Sequence, residues 1–472
     1  MTKNYLIKNI LVVNEGKIMS RDVLIKNGRI EQIAAQVDNR FAAIEINGEG
    51  KYLLPGAIDD QVHFREPGLT HKANIYTESK AAVAGGVTSF MEMPNTVPPV
   101  FTQALLEQKY EIARNNSLAN YSFFMGTSNE NTDEALRTNE NKNNICGIKV
   151  FMGSSTGGLL VDSPLALDKL FSESEVLIAT HCENEKIIKA NFERVKKEKG
   201  ILTAADHPLI RDEENCFESS FYAIQYAKKH NTRLHILHIS TERELQLFTN
   251  MIPLKDKRIT AEVCVHHLHF TADDYAAKGN LIKCNPAIKA AFNREALWKA
   301  LLDDRLDVIA TDHAPHTWEE KHFAPALAQS SGLWTPSPNT EKEGGSSAYE
   351  KAHAGLPLVQ HSLLLMLYYV QQGKITIEKV VEKMSHAVAD CFQVAERGYI
   401  REGYYADLVI ADVHQSTTVT KENILYKCGW SPLEGFVFPA AITHTFVNGT
   451  LVYGNAVWDE SKKGERLTFD RN

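Results

Sequence analysis

The 472-residue chain contains no long hydrophobic run and no block of basic residues. Its strongest apolar stretch, 363–370, is far shorter than the roughly 18 residues that a membrane-spanning helix needs. Lys8 and Asn9 interrupt the apolar residues near the start, so this segment does not resemble a signal peptide. The formal net charge of −8 offers nucleic acid little to bind. We therefore expect neither a membrane nor a nucleic-acid partner.

The seven cysteines are scattered, and no two of them form a CxxC pair. Paired cysteines at regular spacings would have indicated disulfides or a structural zinc site. Scattered thiols are typical of a reducing compartment, and we expect a cytoplasmic protein. With 43% hydrophobic and 23% charged residues, the chain has an ordinary globular composition. Its length suffices for one large domain and a smaller one.

The two ends of the chain share one residue pattern. Apolar and polar residues alternate in YLIKNILVV near the N-terminus and in THTFVNGTLVYG near the C-terminus, and Asn-Gly pairs occur in both regions. This alternation predicts short strands joined by hairpin turns. We predict that 1–55 and 400–472 meet in a small composite β-sandwich domain. Two unrelated terminal extensions are the alternative.

The middle of the chain, 56–399, alternates short apolar segments with amphipathic helical ones. This repetition predicts parallel β-α-β units, and eight of them fit a closed (β/α)8 TIM-like barrel better than an open sheet. The predicted fold class is therefore α/β. A stretch rich in Pro, Gly, Ser and Glu, 317–350, is predicted to be a lid or inserted loop. The predicted barrel strands are 57–63, 87–93, 119–125, 147–152, 176–181, 233–238, 258–264 and 307–312.

Unusual polar residues lie at the ends of these predicted strands, where barrel enzymes place their active sites. Three strands end in a histidine, at His63, His181 and His238. Asp312 ends the eighth strand, and Lys149 interrupts the apolar fourth strand. One histidine at a strand end is more often structural than a ligand. The convergence of all these residues on one mouth instead predicts a site for zinc or a related divalent ion.

Lys149 is the unusual member of this group, because a protonated amine cannot ligate a cation. A buried lysine with a lowered pKa can react with carbon dioxide, and the resulting carbamate has two oxygens that can bridge two ions. We therefore expect Lys149 to be carbamylated. The alternative is a lysine that snorkels to solvent or pairs with a carboxylate.

The other histidines near these strand ends have structural interpretations. His235 alternates with His238 along the sixth predicted strand, so it is expected to face the helices. His266 and His267 follow the seventh strand and are interpreted as structural or as supporting the ligands. His313, next to Asp312, is expected to pack.

The sequence resembles the amidohydrolase superfamily and, within it, the dihydroorotases. The resemblance covers nearly the whole chain. As a set its motifs are specific, whereas any one of them alone is less so. They are PGAIDDQVHFREPGLTHK, GGVTSFMEMPNT, GIKVFMGSSTG, THCEN, KCNPAIK and IATDHAPHTWEEK.

The resemblance implies a role for each matching residue. It implies zinc, with His63 and Asp312 on the more buried ion, His181 and His238 on a second ion, and carbamylated Lys149 as the bridge. It makes Asp312 the catalytic proton shuttle as well. The substrate-binding residues that it implies are Arg65, Asn95 and His316 for a carboxylate, Asn285 for the ring, and Ala354 and Gly355 for a closing backbone segment.

The activity that this resemblance implies is the reversible hydrolysis of L-dihydroorotate to N-carbamoyl-L-aspartate, in pyrimidine biosynthesis, by a metal-activated hydroxide. A homo-oligomer acting on this small molecule is expected. Arg65 favours dihydroorotate, because its planar fork suits a carboxylate that hydantoin and allantoin lack. The alternatives are a hydantoinase-like or allantoinase-like ring opener and a catalytically impaired scaffold homologue.

Gln61 departs from the family pattern, which has His-x-His where this chain has Gln-x-His ending at His63. An amide oxygen is a poorer zinc ligand than imidazole. In one interpretation the more buried ion is bound weakly or not at all, and one ion on Lys149, His181 and His238 suffices. In the other, the chain is an inactive relative that serves as a structural partner.

Overall fold

The computed structural model describes residues 3–39, 43–153, 157–322 and 348–471. The strands in these ranges are β1 Tyr5–Asn14, β2 Lys17–Lys26, β3 Arg29–Ala34, β4 Ile44–Asn47, β5 Tyr52–Pro55, β6 Ala57–Val62, β7 Val87–Glu92, β8 Asn120–Gly126, β9 Gly147–Phe151, β10 Ile178–His181, β11 Leu234–Ile236, β12 Ile259–Cys264, β13 Val308–Ala310, β14 Leu408–Asp412, β15 Thr417–Thr418, β16 Val437–Phe438, β17 Ala441–Val447, β18 Thr450–Gly454 and β19 Val457–Trp458.

The α-helices of the same ranges are α1 Ile75–Ala84, α2 Gln103–Asn116, α3 Thr132–Leu136, α4 Pro164–Glu173, α5 Glu185–Lys199, α6 His207–Ile210, α7 Glu213–His230, α8 Val265–His269, α9 Tyr275–Lys278, α10 Ala291–Leu302, α11 Trp318–His322, α12 Ala348–Lys351, α13 Ser362–Gln371, α14 Ile377–Val381 and α15 Ala387–Phe392. Turns of 3-10 helix lie at Arg137–Asn144, Ala204–Asp206, Arg243–Leu247, Leu254–Asp256, Ala272–Asp274 and Gly279–Ile282, and a π-helical turn lies at Glu382–His386. None of the helices in the described ranges combines the length and apolar character that a membrane crossing requires.

The central element of the fold is an eight-stranded sheet in which β6 to β13 pair in chain order. Every described pairing in it is parallel. The sheet closes on itself, because Val62 at the end of β6 pairs with His313 just after β13, and the His63 amide donates to the His313 carbonyl over 2.7 Å. The predicted (β/α)8 barrel is therefore confirmed, with strands close to those predicted.

The barrel strands are buried on both faces, which explains their nearly continuous apolar sequences. Every residue of β6, β7, β8, β9 and β10 is buried. A cluster that includes Ile58, Phe124 and Phe392 joins strand residues to α15. Polar side chains inside the barrel therefore lie among apolar neighbours, and burial governs their ionisation.

Side-chain caps fix where several of the barrel helices begin. A capping side chain accepts a backbone N–H that the first turn would otherwise leave without a partner. Asn74 caps α1 in this way, Thr102 caps α2, Ser163 caps α4, Asn184 caps α5 and Asp212 caps α7.

The second large sheet is built from both ends of the chain. Its order is β19-β18-β17-β14-β5-β1-β2-β3, and β4 pairs with β1. The two ends join where β5 and β14 run antiparallel, with Leu54 opposite Val409. The prediction that the terminal segments form one composite β structure is confirmed. Of the predicted lid, 317–350, the structure describes 317–322 and 348–350, and the rest lies outside the described residues.

Asp407 connects this sheet to the barrel. Its carboxylate accepts from the Asn120 amide of β8 over 3.0 Å and from the backbone N–H of Asn448 over 2.7 Å, and it forms an ion pair with Arg397. Asp407 is 4% exposed and Arg397 is 3% exposed. The pair is thus buried at the junction of the two sheets.

Replacing this carboxylate should destabilise the whole protein. We expect Asp407→Ala to lower the free energy of unfolding by about 3–5 kcal/mol, because it leaves the buried Arg397 guanidinium with only the exposed Glu465 carboxylate, 3.6 Å away, as a counter-charge. Urea unfolding followed by circular dichroism measures the change. Asp412→Ala, on the partly exposed Lys51–Asp412 pair at the end of β14, is the matched control and should cost about 0–1 kcal/mol. If the two variants lowered the urea midpoint of unfolding equally, the stabilising role of the buried Asp407–Arg397 pair would be contradicted.

Candidate metal centre

A cavity of about 370 Å³ lies at the carboxyl ends of the barrel strands. The structure brings together at this one cavity all of the residues that the sequence singled out for metal, catalysis and substrate. They are His63, Arg65, Asn95, Lys149, His181, His238, Asn285, Asp312, His316, Ala354 and Gly355.

Three of these residues have left-handed backbone conformations. The φ angles are 70° at Arg65, 41° at His238 and 47° at Asp312. Such angles are uncommon for residues other than glycine, and they cluster at functional sites. Each of the three lies just beyond the end of a barrel strand, where the chain turns, and its side chain lines the cavity.

The geometry around His63 suits a metal ligand. Burial lowers the pKa of His63, so the ring is neutral and carries one proton. Nδ1 lies 2.7 Å from Asn95 Oδ1 and is the nitrogen that donates, which leaves the Nε2 lone pair facing Asp312 Oδ1 at 3.1 Å. Two acceptors that face each other are stabilised by a cation beside them. The Asn95 contact is the kind that orients a ligating histidine.

His181 and His238 converge in the same manner. Nδ1 of His181 and Nε2 of His238 are 2.9 Å apart, so both nitrogens point toward one position. Burial lowers the pKa of His181 and lowers that of His238 well below its ordinary value. Neutral imidazoles are the form that binds metal. The two neutral ring nitrogens are therefore placed to bind one metal ion together.

Lys149 is a buried amine without a hydrogen-bond partner among the described residues. It is 1% exposed, and its Nζ lies 4.4 Å from the centre of the Phe151 ring. Burial lowers its pKa to about 7, although Glu262, Cys182 and Asp312 oppose the shift. A buried polar group without a partner calls for an explanation, and an amine near neutrality is nucleophilic. A carbamate on this nitrogen fits both observations.

Gln61 occupies the position beside this donor set. Its Nε2 donates to Asp312 Oδ1 over 3.2 Å, and its Oε1 accepts from the Cys264 thiol over 3.7 Å. In this orientation the amide presents a donor, not a ligand, to the carboxylate. The departure from the family pattern therefore changes the contacts of Asp312 and does not leave a void.

The same cavity also contains cationic groups. Arg65 Nη2 lies 3.1 Å from His316 Nε2, and Arg65 Nε donates to the Pro315 carbonyl over 3.1 Å. Burial lowers the pKa of Arg65 to about 10, so the guanidinium still carries its charge at neutral pH. Lys72 lies 3.1 Å from His316 Nδ1 and also lines the cavity. Sequence reasoning missed Lys72, although it ends the motif that contains Arg65.

The remaining predicted residues, Asn285, Ala354 and Gly355, also line the cavity. The Asn285 side-chain oxygen lies 3.2 Å from Nε2 of His207. The Ala354 carbonyl lies 3.1 Å from Nε2 of His316, and the Gly355 amide donates to the Lys283 carbonyl over 2.8 Å. Gly355 has a φ of 138°, and a Cβ there would lie 2.5 Å from the Ala314 carbonyl oxygen. Glycine is therefore required where this segment meets the cavity.

The prediction that His235 faces the helices is wrong. His235 Nε2 lies inside the barrel, 3.2 Å from Asp60 and 3.4 Å from Glu262. Burial lowers its pKa, but these two carboxylates outweigh that effect and raise the pKa to about 9. The alternation fails because β11 ends at Ile236 and His238 then adopts its left-handed conformation. Glu262 also accepts from the His238 amide over 2.9 Å, so the triad supports a predicted ligand.

Comparison with known proteins identifies the class to which this architecture belongs. Residues 52–452 match the amidohydrolase family. The match covers most of the chain, and the protein belongs to this family.

Individual relatives within this family are more informative than the family match. The chain is 29% identical over 454 residues to a dihydroorotase of Pyrococcus abyssi, with 96% of each chain covered. It is 31% identical over 455 residues to a dihydroorotase of Carboxydothermus hydrogenoformans, with 94% of this chain and 96% of the relative covered. Among solved structures it is similar to the L-hydantoinase (dihydropyrimidinase) of Arthrobacter aurescens, with a TM-score of 0.86 and 24% identity over 99% of this chain and 100% of that one. This last similarity shows the fold.

The contacts of Gln61 lead to a test of metal content. We expect Gln61→His to raise the number of bound divalent ions per chain, because an imidazole replaces an amide that donates to Asp312. Elemental analysis after dialysis against zinc measures the ratio. Gln360→His, at a buried glutamine outside this cavity, is the matched control and should leave the ratio unchanged. An unchanged ratio in Gln61→His would show that Gln61 does not limit metal binding.

Proposed function

We propose that the protein is a zinc-dependent dihydroorotase, which hydrolyses L-dihydroorotate reversibly to N-carbamoyl-L-aspartate in pyrimidine biosynthesis. One observation carries the proposal: a single cavity of about 370 Å³ contains both the histidine, lysine and aspartate donor set and the buried Arg65 guanidinium. Hydrolysis of a cyclic amide that bears a carboxylate requires the metal-binding donor set at the amide and a positive charge at the carboxylate. The relatives that are named dihydroorotases along nearly their full length support the same substrate.

Zinc suits this donor set. His63 and Asp312 would hold one ion, His181 and His238 would hold another, and carbamylated Lys149 would bridge them. When bound, zinc supplies a water of lowered pKa and polarises the amide carbonyl. The facing acceptors of His63 and Asp312 and the unpartnered Lys149 nitrogen are the features that support this assignment.

Arg65 would bind and orient the substrate. Its guanidinium can receive both oxygens of a carboxylate, and burial in the cavity strengthens that interaction. His316, 3.1 Å from Arg65, and Asn95 would assist in holding the carboxylate, and Asn285 and the backbone of Ala354 and Gly355, which line the same cavity, would contact the ring. Holding the carboxylate in this way would present the ring amide to the donor set.

Asp312 would move the proton. Its Oδ1 already accepts from the Gln61 amide and faces His63, so Oδ2 is the atom that would take a proton from the attacking water. The same oxygen would then give that proton to the ring nitrogen as the C–N bond breaks. In the biosynthetic direction these transfers run in reverse, and water leaves as the ring closes.

The proposal extends to the setting of the enzyme. The seven free cysteines support a reducing compartment, and we propose a cytoplasmic homo-oligomer that acts on a small molecule. We further propose that 1–55 with 400–472 forms the composite β domain, that 56–399 forms the catalytic barrel, and that 317–350 is a lid.

Substrate choice tests the role of Arg65. Purified protein is given dihydroorotate, hydantoin and allantoin, with and without added zinc, and only dihydroorotate should turn over. Arg65→Met should reduce kcat/KM for dihydroorotate roughly 10- to 100-fold, because a charge-assisted hydrogen bond contributes about 1.5–3 kcal/mol. Arg114→Met, on an exposed pair, is the control.

The other outcomes of this assay separate the alternatives. Faster turnover of hydantoin or allantoin would replace the proposal with a different cyclic amidohydrolase. If metal is bound and none of the three compounds reacts, the chain is a scaffold homologue.

The pKa of Lys149 predicts a pH dependence for its carbamylation. The neutral amine is the reactive form, and with a pKa of about 7 its fraction rises as the pH increases through neutrality. Uptake of isotope-labelled bicarbonate, followed by carbon NMR, should therefore increase between about pH 6 and about pH 8. Lys149→Gln should show no carbamate signal. A signal that persists in this variant would place the modification elsewhere.

A further inference from the structure

A second group of metal-binding side chains lies beside the cavity. Cys264 ends β12, and His266 and His267 occupy the first turn of α8. The sulfur and one ring nitrogen from each histidine all lie within 4.8 Å of one another. None of the three residues lines the cavity that contains the zinc donor set.

The two histidines are buried without full hydrogen bonding. His266 is 1% exposed, and neither of its ring nitrogens has a hydrogen-bond partner among the described residues. Burial lowers the pKa of this ring to about 4, and the nearby Asp312 carboxylate and Thr311 backbone oppose that shift. A buried polar group without a partner is destabilising, and a bound ion or water is one of the accepted explanations.

His267 has one satisfied nitrogen and one that is not. Its Nε2 lies 3.1 Å from the Pro286 carbonyl, which can only accept, so Nε2 carries the proton. Nδ1 is therefore an acceptor, and it has no partner within the described part of the chain. A histidine whose other nitrogen donates to a carbonyl has the arrangement found in most metal-ligating histidines.

The neighbouring triad of Asp60, His235 and Glu262 provides a contrast. Its ligand atoms are as close together, but His235 already lies between the two carboxylates as their counter-charge. His235 therefore supplies this triad with a positive charge of its own. The group at Cys264 contains no such internal pair.

We propose that Cys264, His266 and His267 form a separate site for one zinc-like divalent ion, adjacent to the donor set of the cavity. Thiolate and imidazole are preferred ligands of zinc, with bond lengths of about 2.3 Å to sulfur and about 2.0 Å to nitrogen. Small side-chain rotations would bring the three atoms onto one ion. Binding releases the thiol proton to solvent and leaves the sulfur as a thiolate.

Gln61 connects this site to the cavity. Its Oε1 is 3.7 Å from the Cys264 sulfur, while the same side chain lines the cavity. Metal binding at this site requires neither the proposed substrate nor the proposed reaction. The two proposals can therefore be tested independently.

Cobalt(II) spectroscopy tests the proposal, because the donor set of the cavity contains no sulfur. The full-length protein is stripped of metal with a chelator and titrated with cobalt(II). We expect a thiolate-to-cobalt charge-transfer absorption in the near ultraviolet. Cys264→Ser should abolish it and reduce bound metal by one ion per chain. Cys146→Ser, at a wholly buried thiol just before β9, should retain it.

Two further measurements cover a Cys264→Ser variant that does not fold. His266→Gln and His267→Gln should each weaken cobalt binding and reduce the charge-transfer absorption. In the unmodified protein, X-ray absorption of the zinc form should show one sulfur neighbour. Wild-type protein that binds metal without any sulfur signal overturns the proposal. The proposal is also overturned if the thiolate-to-cobalt absorption persists in Cys264→Ser, or if it disappears in Cys182→Ser instead.

Discussion

All eight barrel strands run in the same direction, and this constraint determines where chemistry can occur. Their carboxyl ends meet at one rim, so the residues that follow them converge although they are far apart in the chain. His63 and Asp312 show the effect, because they are neighbours in space through the closure of β6 against the segment after β13. The closure thus brings together two of the predicted ligands.

Burial then sets the protonation state of the converging groups. It lowers the pKa of His181 and His238, and it lowers that of Lys149 to about 7. Burial thereby favours the neutral forms of these groups, which are the forms that can bind a metal ion or react as nucleophiles. Arg65 keeps its charge in the same cavity, because even a pKa of about 10 lies well above neutral pH. One cavity can thus combine neutral donors with a fixed positive charge.

Much of this arrangement could be predicted from the sequence, because hydrophobic period and strand-end position are local signals. The barrel strands and the predicted ligands at the strand ends were accessible in this way, whereas predicted substrate-contacting residues such as Asn285 and Gly355 followed only from the resemblance to dihydroorotases. The orientation of His235 was not, since it depends on where β11 ends and on the left-handed turn at His238. The approach of Cys264 to Gln61 was also hidden, because it joins β12 to β6 across the interior of the barrel.

The pairing of β5 with β14 has a consequence for how the chain is made. Leu54 emerges from the ribosome long before Val409, its partner in the sheet. The edge of β5 that pairs with β14 therefore stays unpaired while the whole barrel is synthesised between the two strands. Completion of this sheet is a late event of biosynthesis, and a chain truncated before β14 would keep that edge open to other strands.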